Sequence, residues 1–178
     1  EFAAQANVND ESLHEWGERD PEGFWASVAS ELHWFKPWDK VLDPSLGQYG
    51  HWFVGAECNV AYNCLDRHVE AGRGGQAALI YDSPVTNTVK SFTYAELTEE
   101  VAALAGVLLE LGVKKGDRVV ISGHNHPDWP LAFFGIVRAG ATAVPVDPAM
   151  DPAQFANVVR ESEAKIVLWD AKVEEAAS

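Results

Sequence analysis

Residues 112–147 constrain the fold of this chain more than any other stretch. Arg118–Ser122 is a short β-branched run entered through Lys114-Lys115-Gly116-Asp117, the pattern of a buried strand. Pro127 suits the opening of a helix, where an amide has no intrahelical partner to lose. Residues 129–139 are almost all apolar, which predicts a helix withdrawn from water on most of its surface. Gly140 supplies a left-handed stop, and residues 141–146 read as the next strand. A strand, helix and strand of these lengths imply parallel strands joined by a right-handed crossover.

The flanking segments extend the same pattern. Thr93 and Glu96 are spaced as a capping box, and Leu97, Val101, Leu104, Ala105, Leu108 and Leu111 then recur at helical spacing until Gly112. Before them, residues 77–81 and 89–93 predict a hairpin across Asp82-Ser83-Pro84. After the central unit, Asp151-Pro152 opens a helix with Phe155, Val158 and Val159 inward. Residues 165–169 form a third parallel strand, and Asp170 begins another helix. The expected class is α/β: a parallel, doubly wound, Rossmann-like sheet with helices on both faces.

Ahead of the hairpin we expect an extended and helical amino-terminal wrapping segment. Residues 1–20 are polar and acidic, with a short helix near 11–16, and residues 24–32 form a helix with Phe24, Val28 and Leu32 on one face. Trp34, Phe35, Trp38, Trp52 and Phe53 lie irregularly among Pro37, Pro44, Gly47 and Gly50. They read as packing anchors of a segment with little secondary structure, in preference to a sugar- or base-stacking platform. Residues 59–69 look helical, with Val60, Cys64, Leu65 and His68 inward. Gly72, Gly74 and Ala77 fit G-x-G-x-x-A, but they follow a helix and precede a strand, so they read as a turn and not as a dinucleotide site.

The net charge of −14 argues against nucleic acid and anionic membranes as partners, since both select clustered Lys and Arg. No apolar run approaches a membrane span. Cys58 and Cys64 do not form a CxxC pair, which suggests two ordinary thiols in a reduced, cytoplasmic setting. In a parallel sheet, ligands bind beyond the carboxyl ends of the strands, where Gly123-His124-Asn125-His126 falls. His124 and His126 are too few for a metal site, and helix capping explains the loop better. His124 and Asn125 remain the candidates for touching a ligand. Glu96 is accounted for by its capping box, and Asp147 by a turn. Without a phosphate loop, a nucleophile elbow or a triad pattern, no catalytic or metal-binding residue is assigned.

Several of these stretches together resemble the adenylate-forming acyl-CoA synthetases, particularly the acetyl- and propionyl-CoA group. Ser91-Phe92-Thr93-Tyr94-Ala95-Glu96-Leu97 looks like that superfamily's first core motif, and Leu111-Gly112-Val113-Lys114-Lys115-Gly116-Asp117-Arg118-Val119 like its continuation. Residues 137–147, with Gly140 and Pro145, resemble the second core motif. Trp52-Phe53, Asn59, Tyr62-Asn63 and Asp66-Arg67-His68 look like the amino-terminal extension of short-chain members. The resemblance implies that residues 1–75 are that extension. Residues 76–178 are then the first α/β subdomain of a large domain that continues beyond Ser178. It makes Thr93, Tyr94, Glu96, Leu97, Gly116, Asp117, Gly140 and Pro145 structural, and it carries no catalytic residue onto this sequence. The complete enzyme it implies uses ATP, Mg and CoA on a small carboxylate, with the remainder of the synthetase, or a complementing chain, as partner. The segments 123–127 and 147–149 depart from acetyl-type members toward longer-chain ligases. A stand-alone, non-catalytic binding or interaction module derived from such an enzyme is the alternative.

Overall fold

The structure is a computed structural model that describes residues 11–170; the helix expected from Asp170 onward lies outside them. The chain divides after Cys58 into two compact units.

In the first unit, helix α1 is Ser12–Arg19 and α2 is Pro21–Ala29. Asp20 ends one and caps the other: its Oδ1 accepts the Gly23 backbone N–H at 2.9 Å, and Pro21 fills the first helical position. The cap moves the start of α2 ahead of the expected Phe24. The predicted apolar face is corrected, because Val28 and Leu32 are exposed and Ala29 is the buried residue. The aromatic segment also holds more structure than expected. Strands β1 (Lys40–Asp43) and β2 (His51–Val54) pair antiparallel, with Leu42 opposite Trp52. Two left-handed glycines, Gly47 and Gly50, shape the intervening loop and interrupt the period of the sequence. Trp34 and Trp38 pack at 5.4 Å between ring centres, and Phe53 lies 5.5 and 5.2 Å from them. These contacts hold Phe53 at φ 51°, a left-handed conformation that costs a non-glycine residue about 1–3 kcal/mol.

The second unit begins with Asn59, whose Oδ1 accepts the Ala61 N–H at 2.9 Å. Residues 62–73 then wind largely as wide π-type turns. That wider period displaces the inward positions from those of an α-helix. Ala61, Asn63 and Leu65 are buried, whereas Val60 and Cys64, expected inward, are exposed. Gly72 turns left-handed at φ 78°, as the turn reading of the glycine cluster requires. Strands β3 (Ala77–Ser83) and β4 (Thr88–Thr93) form the antiparallel hairpin.

Helix α3 is Tyr94–Glu110, β5 is Arg118–Ser122, α4 is Asp128–Arg138, β6 is Thr142–Val146, α5 is Pro152–Glu161 and β7 is Ile166–Trp169. The three strands form a parallel sheet in the order β6-β5-β7. Central β5 buries Val119, Val120 and Ile121, as its β-branched run predicts. Val119 and Ile121 join Ile136 of α4 and Leu108 of α3 in one cluster. Leu97 and Val101 of α3 join Leu65 and Phe92 in a second. Leu111, predicted on the same face, lies past the helix end and is exposed. After Asp128, no residue of α4 is exposed, although full burial is confined to Gly135 and Ile136.

Helices α3 and α4 approach closely at one point. A Cβ on Gly135 would sit 2.8 Å from Leu104 Cδ2 and 3.2 Å from Leu104 Cβ. Gly135→Val is expected to destabilise the fold by about 1–3 kcal/mol in denaturant titration, as overpacking does. Leu104→Ala in the same chain should recover part of that loss. Additive penalties would show that the two side chains do not share this space.

Candidate functional site

Two kinds of residue distinguish this unit: those that bind its parts together, and those at the carboxyl ends of its strands. In the first group, Thr93 and Glu96 form the predicted capping box. The Glu96 N–H donates to Thr93 Oγ1 at 3.2 Å, and Glu96 Oε2 accepts the Thr93 N–H at 2.8 Å. Tyr94 donates its backbone N–H to Gln76 O at 3.0 Å, and its ring meets His68 at 4.8 Å. Leu97 is buried. Gly116 and Gly140 are both left-handed, and the Gly116 N–H donates to Gly140 O at 3.0 Å. Asp117 Oδ2 accepts from Lys114 N at 2.8 Å and from Lys165 Nζ at 3.1 Å, while Lys165 also donates to Gly112 O. Pro145 lies on β6, which is an edge of the sheet among the described residues, where a missing N–H costs least.

Of the amino-terminal residues singled out with these motifs, Asn59 and Asp66 clamp the last turn of α4. Asn59 Nδ2 donates to Val137 O at 2.8 Å, and Arg138 Nη1 lies 2.7 Å from both carboxylate oxygens of Asp66. Every one of these contacts positions the scaffold.

The second group lines a cleft of about 520 Å³ at the carboxyl ends of β5 and β7. Its floor includes Ile121, Ser122 and Leu168, and its walls include Trp129, Trp169 and Tyr81. His124 and Asn125 both line it, as their place after β5 led us to expect. The sequence reading missed what orients His124. Asp170 Oδ2 accepts its backbone N–H at 2.8 Å and lies 2.9 Å from its Nδ1. The available signal was the strand order: when β5 and β7 are parallel neighbours, the residues following each must meet. His126 pairs instead with Asp128 at 3.2 Å and packs against Tyr81 at 5.5 Å. Asp147 is used as a turn should be, its Oδ1 accepting the Ala149 N–H at 2.8 Å.

No Lys or Arg lines the cleft, so it does not fit the phosphates of ATP or CoA. Among the described residues, no group of three or more His, Cys, Asp and Glu is placed to hold a metal ion. No described helix is long and apolar enough to cross a membrane.

Both motif carboxylates lie below their ordinary pKa. The Thr93 backbone N–H and then its hydroxyl lower Glu96; the Lys114 N–H and then Lys165 lower Asp117. A depressed folded-state pKa adds stability above the unfolded value. That contribution is complete above about pH 5 and is lost as the pH falls through the folded value. Asp117→Asn is therefore expected to lower Tm at pH 7 and to reduce the fall in Tm between about pH 5 and 3. Melting curves that keep the wild-type acid dependence would exclude this contribution. Asp66→Ala leaves Arg138 without its carboxylate and is expected to cost about 2 kcal/mol in denaturant titration.

Residues 10–64 match the family described as Acetyl-coenzyme A synthetase N-terminus, and residues 65–178 the family described as AMP-binding enzyme. An acetyl-coenzyme A synthetase of Rubrobacter xylanophilus is 42% identical over 170 residues, which is 94% of this chain and 26% of that protein. The human acyl-CoA synthetase short-chain family member 3, mitochondrial, is 47% identical over 122 residues, 68% of this chain and 18% of that protein. Among solved structures, acetoacetyl-CoA synthetase from Streptomyces lividans superposes with a TM-score of 0.79 at 25% identity, covering 94% of this chain and 27% of that one. In each case the chain spans little more than a quarter of its relative, or less. With the capping box, the Gly116–Gly140 contact and the three parallel strands in place, these matches show that the chain belongs to the AMP-binding enzyme family and corresponds to the amino-terminal part of an acyl-CoA synthetase.

Proposed function

We propose that this chain serves an ATP-dependent acid–thiol ligase that converts a small carboxylate to its acyl adenylate, with release of pyrophosphate, and then passes the acyl group to CoA. The observation that carries the reading is the uninterrupted order of the two family matches, the synthetase-type amino terminus followed by the AMP-binding segment. In that enzyme the three parallel strands are one flank of a larger doubly wound sheet with helices on both faces. Residues 1–75 act as a wrapping extension, and 76–178 as the first α/β subdomain. The partner is the remainder of the synthetase, and the setting is the cytoplasm. ATP, Mg and CoA belong to the complete enzyme.

Chemistry is not the part played by these residues. Acyl transfer and adenylation need donors preorganised around developing charge. The motif side chains here are spent on caps, turns and strand entry, and the strand-end cleft offers no cation to a phosphate. Residues 1–178 alone are expected to give no carboxylate-dependent ATP–pyrophosphate exchange with acetate or propionate, whereas the full native gene product should give it. Exchange by the isolated residues would overturn the division of labour. Its absence from the full product with every short and medium carboxylate would overturn the ligase reading.

A further inference from the structure

Residues 68–76 close over the amino terminus of α3, and one histidine helps to hold them there. The first amides of a helix have no partner within it. In α3 the Tyr94 N–H donates to Gln76 O and the Ala95 N–H to Gly74 O, each at 3.0 Å. Gly72, at φ 78°, turns the chain back so that these carbonyls arrive. The same return sets Arg73 beside the helix end. Its guanidinium carbon lies 5.6 Å from the centre of the Tyr94 ring, and its Nε donates to Gln76 Oε1 at 2.8 Å. The His68 ring lies 4.8 Å from that of Tyr94, and its Nδ1 is 3.2 Å from Arg73 Nη1.

Arginine carries only donors, so Nδ1 of His68 is the acceptor of this hydrogen bond and the imidazole is neutral, with its proton on Nε2. A protonated ring has no acceptor and becomes a second cation against Arg73, at the positive end of the α3 dipole and within the field of Arg67. The carboxylates on the same elements are committed elsewhere: Asp66 to Arg138, Glu70 to the Tyr62 hydroxyl at 2.7 Å, and Glu96 to Thr93. Lys90, on neighbouring β4, lies over the Phe92 ring. We propose that His68 is a pH-sensitive latch: neutral, it accepts Arg73 and holds residues 72–76 on the first turn of α3; protonated, it releases them. Desolvation, followed by Arg73 and Arg67, holds the imidazole below its ordinary range. A depressed folded-state value makes the latch complete above about pH 6.5 and loosens it as the pH falls through that value. Leu65 stays buried against Leu97 and Val101, and Asp66 stays on Arg138, so the opening is confined to the residues that follow His68. The latch depends on these contacts and not on the ligase reading.

Hydrogen–deuterium exchange of the full native gene product reads the latch directly, because release frees the amides of Tyr94 and Ala95. Rates are compared at about pH 7.5 and about pH 5, on either side of the imidazole range, after correction for the intrinsic pH dependence of exchange. Glu96, which titrates at the same helix end, stays ionised at the lower pH because the Thr93 N–H and hydroxyl depress its pKa. The expected result is a loss of protection at Tyr94 and Ala95 of about fivefold, the factor for exchanging one hydrogen bond for a like-charge contact near the surface. Val101 and Ala105, in the interior of α3, should keep their protection. His68→Gln retains an acceptor for Arg73 and cannot gain a proton, so both amides should be protected equally at the two pH values. His68→Lys is cationic throughout and should show the acid behaviour already at the higher pH. Protection of Tyr94 and Ala95 that does not change with pH in the wild type would overturn the proposal. So would the same loss in His68→Gln, which would assign the titration to another group, or wild-type protection in His68→Lys. A loss that extends equally to Val101 and Ala105 would overturn it too, since the whole helix would then be opening.

Discussion

Withdrawal of Val119, Val120 and Ile121 from water, on a strand hydrogen-bonded along both edges, is the constraint on which the second unit depends. Every backbone group of such a strand is committed to its neighbours, and alternate side chains face opposite sides of the sheet. The ends are then the places where the chain can change direction and where polar groups can gather. At the entry, Gly116 and Asp117 set the turn, and Lys165 ties it to the segment leading into β7. At the exit, the backbone of residues 122–124 is joined to Asp170. Cleft and scaffold are thus two ends of one strand.

Helix α4 completes the arrangement because it is apolar on nearly every side and must be covered all round. Leu104 of α3 covers Gly135, and the absence of a Cβ there allows the close approach. The turns beginning at Asn59 hold the other end through Val137 O and Arg138. The Arg138–Asp66 pair is mostly shielded from solvent, where charge-assisted hydrogen bonds are stronger than at the surface. The residues that make the family recognisable are therefore those that fix angles and distances between elements.

What the sequence by itself determined was whatever depends on a few neighbouring residues. The capping box at Thr93 and Glu96, the proline-opened helix after Asp151, the glycine stops at Gly112 and Gly140 and the buried run of β5 all formed as expected. Each is a hydrogen bond or a period completed within one or two turns of chain. The family was legible for a related reason: its motifs are runs of adjacent residues in a fixed order.

Tertiary structure decided the rest. The π-type winding of residues 62–73 leaves Cys64 exposed between buried Asn63 and Leu65, and no α-helical period announces that arrangement. Strands β1 and β2 exist by pairing across a loop shaped by two left-handed glycines, which hides their alternation. His124 and Asp170 are 46 residues apart, and Asp66 and Arg138 are 72 apart. Nothing local relates either pair. They meet because parallel strands bring successive loops to the same end of a sheet, and because α4 must be clamped where it ends. That the buried Ser122 hydroxyl has no hydrogen-bond partner among the described residues was likewise invisible in the sequence, where it closes an ordinary strand. Whether a buried polar atom finds a partner depends on what the fold places around it, and only the assembled sheet settles that.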